Sequence, residues 1–173
     1  MKPATSTPRH SNPILTEIVV AEITDPDGLL VNHRPVPTPG PRQALVEVLA
    51  TGISFAEQAM LRGRYPGQPK FPFVLGYDLV GRVSHVGSRA DHRLVGQRVA
   101  TVTKTGSWTT HALVDARNLV AVPDDLDPAE IETFVVNGIT AWQMLHRKAG
   151  VQSGQTILVH GASGGVGSTL VQL

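Results

Sequence analysis

The sequence predicts an α/β protein built in two parts, a β-barrel or sandwich followed by the opening of a parallel, doubly wound sheet. Three observations carry that prediction. Residues 14–123 hold many short β-type runs punctuated by Gly and Pro, the pattern of closely spaced strands. Beyond Pro123 these runs give way to helix-forming segments. Residues 156–160 are an apolar run that passes into a glycine cluster and a second apolar segment, the strand–glycine–helix order of a parallel-sheet unit.

The chain opens with MKPATSTPRHSNP, rich in Pro, Ser and Thr. It lacks the apolar core of a secretory signal, so residues 1–13 are expected to be a disordered tail. Strands are expected over residues 18–23, 44–49, 80–86, 98–102 and 108–114, with one helix over residues 55–62. Residues 44–48 alternate apolar and polar side chains, as a half-buried strand does. Asp127-Pro128-Ala129-Glu130 is a helix start: Asp caps, Pro takes the first turn and Glu can reach back. A helix is expected from there to residues 137–138, then a second over residues 139–149 ending at Gly150. The final apolar segment ends at Leu173 with no capping or polar close. A lone strand and partial helix cannot bury their apolar faces, so the second part is expected to be an incomplete domain.

Composition narrows the function classes. The 173 residues include 15 Lys and Arg against 14 Asp and Glu, a formal net charge of +1. No basic stripe marks a nucleic-acid or membrane surface, and no apolar run reaches membrane-spanning length. The chain has no Cys, which removes disulfides, thiolate metal ligands and Cys nucleophiles, and suits a cytoplasmic setting. The seven His residues are scattered singly. His111, His146 and His160 show no metal-ligand spacing with one another or with a carboxylate; His160 is expected to pack or bond to backbone.

The glycine cluster carries the chemistry. Ala162, Gly164 and Gly167 occupy the positions of a G-x-G-x-x-G fingerprint, with Ala replacing the first Gly. Glycines there allow a tight turn and close approach of backbone N–H groups to a pyrophosphate at a helix start. The same stretch fits G-x-S-x-G through Gly161, Ser163 and Gly165. That nucleophile elbow needs downstream partners, and the upstream β domain favours the nucleotide reading.

The wider pattern resembles the medium-chain dehydrogenase/reductase superfamily, in its zinc-free quinone-reductase and zeta-crystallin branch. Gly76-Tyr77-Asp78-Leu79-Val80-Gly81-Arg82-Val83 resembles its G-x-E-x-x-G-x-V segment, and Gly96-Gln97-Arg98-Val99 its G-D-R-V turn. Gly106-Ser107-Trp108-Thr109-Thr110-His111 sits where the family has a G-x-[YWF]-A-[EQ] strand start. Gly138-Ile139-Thr140-Ala141-Trp142 resembles its G-[LM]-T-A-[YW] helix. The resemblance implies a GroES-like β-barrel domain over residues 14–124 and the start of a Rossmann domain over residues 125–173. It implies hydride transfer from NADPH, with NADH left open, to a quinone, enone or related carbonyl in the cleft between them. A small-molecule substrate and a homodimer of the full-length protein are expected.

Zinc-dependent members place a Cys after a G-[IV] pair and a His in G-H-E. Here those places hold Ser54 and Tyr77, poor ligands beside thiolate and imidazole, so no zinc is expected. The resembling reductases carry Asn where this chain has Ser54 and Tyr where it has Ala59, and share the G-x-Y-P tyrosine, here Tyr65. By that resemblance Tyr65 and Ser54 are the catalytic candidates, while Thr140, Ala162, Ser163, Gly164, Gly165, Val166 and Gly167 bind the cofactor. Tyr77 is expected to fill the vacated zinc volume as wall. The alternatives are a non-enzymatic, crystallin-like nucleotide-binding protein and a trans-acting enoyl reductase. The 173 residues alone are expected to be inactive.

Overall fold

The structure is a computed structural model that describes residues 13–173; residues 1–12 of the expected tail lie outside the described residues. Pro13 is already held, its carbonyl accepting the Val36 N–H at 2.8 Å.

Two antiparallel sheets form the first part. Strands β1 (Ile14–Val20), β2 (Leu30–Pro35) and β4 (Phe73–Val74) make a three-stranded sheet in the order β2-β1-β4. Strands β3 (Gln43–Ala50), β5 (Asp78–Val86), β6 (Arg98–Val102), β7 (His111–Asp115) and β8 (Val120–Ala121) make a five-stranded sheet in the order β7-β3-β5-β6-β8. The expected barrel is therefore not closed. At the seam, Ile18 N–H donates to Trp108 O, Thr110 N–H to Thr16 O, and Glu17 and Thr109 form a single bridge. The chain turns at Gly106 (φ 95°), meets β1 over residues 108–110, and from His111 on pairs with β3 alone.

The alternation expected in β3 holds only from Val46 onward, since Ala44, Leu45 and Val46 are all buried while Glu47 and Leu49 are exposed; both faces of the sheet are covered at the start of this strand. Ala44 and Val46 are buried with Leu79, Val83, Val99, Ala112 and Val114 in the core of the large sheet. The opposite face of that sheet is buried too: Val80 and Ala100 pack against Val135 of helix α2 (Pro128–Trp142). A third cluster of Val20, Met60, Leu61 and Leu75 seats helix α1 (Phe55–Leu61), with Tyr65, Phe71, Phe73, Tyr77 and Trp108 packed around it.

The second part departs from expectation in two places. The two helices over residues 127–149 are one continuous run: α2 passes through Gly138 and continues as a single π-helical stretch, Gln143–Ala149, capped by Gly150. A helical glycine weakens a helix by only about 1 kcal/mol, and burial of Val135 and Ala141 on either side outweighs it. The expected strand over residues 156–160 carries no ladder, with Leu158 82% exposed and Ile157 45%. A strand is stabilised by its neighbours, and among the described residues none pairs with it. Helix α3 (Gly165–Gln172) follows, joined to α2 through Ala141, Leu145 and Leu170, with Val151, Val159 and Val166 around them. Among the described residues, no helix is long and apolar enough to cross a membrane.

Candidate functional site

The site is organised by one buried side chain that the sequence reading passed over. Ser54 is the N-cap of α1, and Glu57 stands three residues on, closing a capping box. Glu57 is only 1% exposed. Its Oε2 accepts the Ser54 N–H at 2.8 Å and the Ser54 hydroxyl at 2.5 Å, while its Oε1 accepts the Tyr77 N–H at 2.9 Å. One carboxyl group thus ties the α1 start to the entry of β5. The S-x-x-E spacing was the signal for the first two bonds; the third joins residues 20 apart and left no trace in the sequence.

Above this clamp lies a cavity of about 270 Å³ bordered by Gly52, Ser54, Tyr77, Asp78, Glu132 and Asn137. Ser54 and Tyr77, at the places where zinc-dependent proteins would carry ligands, meet at this one cavity. Ser54 reaches it with its proton committed to Glu57 and one lone pair used by the Ala56 N–H at 3.1 Å. What it offers a ligand is an acceptor.

Asp78 and Glu132 face each other across β5 and α2. Burial, then a hydrogen bond and charge repulsion from Asp78, push Glu132 up to about 8; burial likewise raises Asp78, while its hydrogen bond with Glu132 opposes the rise. Two carboxyl groups so close share a proton instead of both ionising. Glu132 also explains Gly52: a Cβ there would stand 2.6 Å from its Oε1.

Tyr65 does not border this cavity. Its hydroxyl donates to the Tyr77 hydroxyl at 3.0 Å, the two rings meeting edge-to-face at 6.2 Å and 72°. That bond and burial push Tyr65 up to about 12. Ala59 is half-buried on α1 and borders no part of the cavity. His160 is exposed, contrary to the packed position expected of it, because the run that carries it has no sheet to enter.

The glycine loop sits beside the cavity. Gly161 turns the chain at φ 67° and its carbonyl accepts the Gly164 N–H at 3.0 Å. Gly167 is buried against that carbonyl, and a Cβ there would overlap it and lie 2.8 Å from the Ala162 Cα. Gly164 caps α3 without a side-chain bond, so the first-turn N–H groups have no internal acceptor. Ala162, Ser163, Gly164 and Gly165 are exposed around that helix start, the donor set and backbone clearance that a pyrophosphate needs. Asn137 joins loop to cavity: it borders the cavity, and its Nδ2 lies 2.6 Å from where a Gly165 Cβ would be. Thr140 follows three residues later on the same side of α2, half-buried and outside the cavity wall.

Residues 40–124 match the family model of the alcohol dehydrogenase GroES-like domain. Over 149 residues the chain is 33% identical to the human synaptic vesicle membrane protein VAT-1 homolog, covering 85% of this chain and 38% of that protein. Over 162 residues it is 32% identical to a quinone oxidoreductase of Lama guanicoe, covering 92% and 49%. The solved structure of mycobacterial Rv1454c complexed with NADPH superposes with a TM-score of 0.81 at 31% identity, over 91% of this chain and 48% of that one. The chain therefore spans half or less of the length of each of these proteins.

Proposed function

The chain belongs to the medium-chain dehydrogenase/reductase superfamily through its GroES-like domain, and from that premise we propose that its full-length parent is a zinc-independent, NADPH-dependent reductase of a quinone, enone or related carbonyl. Residues 14–124 form the substrate domain on this reading, and residues 125–173 open the nucleotide domain. The observation that carries it is the closeness of Asn137, a residue of the cavity wall, to Gly165, where a Cβ would stand 2.6 Å from its Nδ2, so that the glycine loop lies beside the polar cavity of Ser54 and Tyr77. A nucleotide on the loop and a carbonyl compound in the cavity are then neighbours.

The bound nicotinamide supplies the hydride. Ala162, Ser163 and Gly164 would frame its pyrophosphate as the loop, Gly165, Val166 and Gly167 would present the first-turn N–H groups of α3 to it, and Thr140 would lie against the nicotinamide. Ser54 accepts a hydrogen bond from the bound molecules, and the Tyr65–Tyr77 pair polarises the substrate oxygen. The donor set supports the absence of zinc, since a hydroxyl committed to Glu57 and a phenol replace thiolate and imidazole. A cytoplasmic homodimer is the setting proposed for the parent.

The test is a fluorescence titration of the parent with NADPH and with NADH. Saturable enhancement with NADPH, weakened in Gly167→Ala, supports the reading. Absence of binding to either nucleotide contradicts it.

A further inference from the structure

We propose that Tyr77, and not Tyr65, is the phenol that donates a hydrogen bond to a ligand carbonyl oxygen in this cavity, with Tyr65 as the residue that positions it. The inference rests on the reductase reading and assigns a role within the same site.

A phenol has one proton to give. Tyr65 gives its proton to Tyr77 at 3.0 Å, so it has none left for a ligand. Tyr77 accepts that bond, and among the described residues its own O–H has no acceptor. Tyr77 is also the member of the pair that borders the cavity with Ser54, Asp78 and Glu132. Its backbone is pinned on both sides: its N–H is held by Glu57 at 2.9 Å, and its carbonyl accepts Thr103 N–H at 2.8 Å and Lys104 N–H at 2.9 Å. The ring is braced edge-to-face by Tyr65. A hydroxyl that accepts one hydrogen bond donates a stronger one, so Tyr65 strengthens the donor it positions. When hydride adds to an enone or quinone, negative charge gathers on the carbonyl oxygen, which is where such a donor acts. Glu57, Asp78 and Glu132 are the acidic groups around Tyr77, from α1, β5 and α2; the proton shared by Asp78 and Glu132 is taken up in the hydrogen bond between them.

The test uses the full-length parent, with Tyr77→Phe and Tyr65→Phe. NADPH affinity is measured first, then turnover of cyclohex-2-enone, then the carbonyl stretching frequency of isotopically labelled cyclohex-2-enone bound beside oxidised cofactor. We expect Y77F to lower kcat by roughly 10²–10³-fold, to leave NADPH affinity unchanged and to return the carbonyl stretch to its unbound value. Y65F lowers kcat by less than Y77F does and leaves most of the stretch shift in place, since the lost bond only strengthens the Tyr77 donor. A Y77F protein that binds NADPH and keeps wild-type kcat and stretch overturns the assignment alone. A parent that binds no nucleotide overturns the reductase reading and this assignment with it. If Y77F does not fold, Y65F decides: complete loss of the stretch shift in Y65F makes Tyr65 the donor and contradicts the inference.

Discussion

Glu57 sets the behaviour of the site at the scale of single residues. It is a buried carboxyl group with hydrogen bonds to Ser54 N–H, Ser54 hydroxyl and Tyr77 N–H. Glu57→Gln places an amide NH2 against one set of those donors and leaves buried groups unpaired, at a cost of about 1–3 kcal/mol. Urea denaturation of wild type and variant measures it; an unchanged midpoint would mean that the bonds carry no net stability. The carboxyl pair gives a pH dependence with a definite sign. Glu132 is raised from 4.5 to about 8 on folding, and Asp78 is raised as well. A raised carboxyl favours the folded state fully below its unfolded value and loses that contribution as pH climbs through the folded one. Stability should therefore fall between about pH 5 and 8. Glu132→Gln should flatten that slope, being neutral near pH 5 and stabilising near pH 8; melting curves at both values check it.

Four elements and the glycine loop show what sequence could and could not reveal. Helix α1 was legible from helix formers after the β-type runs, and β6 from the apolar run over residues 98–102. Strand β2 was not, because all of its residues are exposed and an exposed edge strand has no buried face to impose alternation. Strand β4 is two residues long, too short for any period. The glycine loop was legible because its residues answer local demands. Gly167 lies against the Gly161 carbonyl, so Gly167→Ala must displace the start of α3. NADPH affinity should fall by at least about tenfold, a loss of about 1.4 kcal/mol, read by fluorescence titration, while the melting of the first part stays unchanged. Equal affinity would mean that the loop does not hold the pyrophosphate.

For the molecule as a whole, local pattern gave the order of the parts and the glycine loop, while long-range pairing decided the rest. The barrel does not close: β1 meets the approach to β7 only through Trp108, Thr109 and Thr110, and β7 itself pairs with β3. The run over residues 156–160 is strand-like in composition, yet Leu158 is 82% exposed, since a parallel strand exists only with partners. The cavity itself depends on contacts between distant residues: Tyr77 with Glu57, Asp78 with Glu132, and Asn137 with Gly165. The family resemblance named Ser54 and Tyr65 but could not show that both protons are already committed. It gave Tyr77 a wall position, whereas the geometry leaves its proton free.

The activity proposed for the parent is reduction of a carbonyl compound by NADPH beside the Ser54–Tyr77 cavity. The direct measurement is the rate at which NADPH absorbance decays when the full-length parent is mixed with a panel of small quinones and enones. The account predicts decay that requires both protein and acceptor, persists with chelator present, and is absent when the 173-residue chain replaces the parent. A parent that binds NADPH but oxidises none with any acceptor would contradict it and support a non-enzymatic nucleotide-binding role instead.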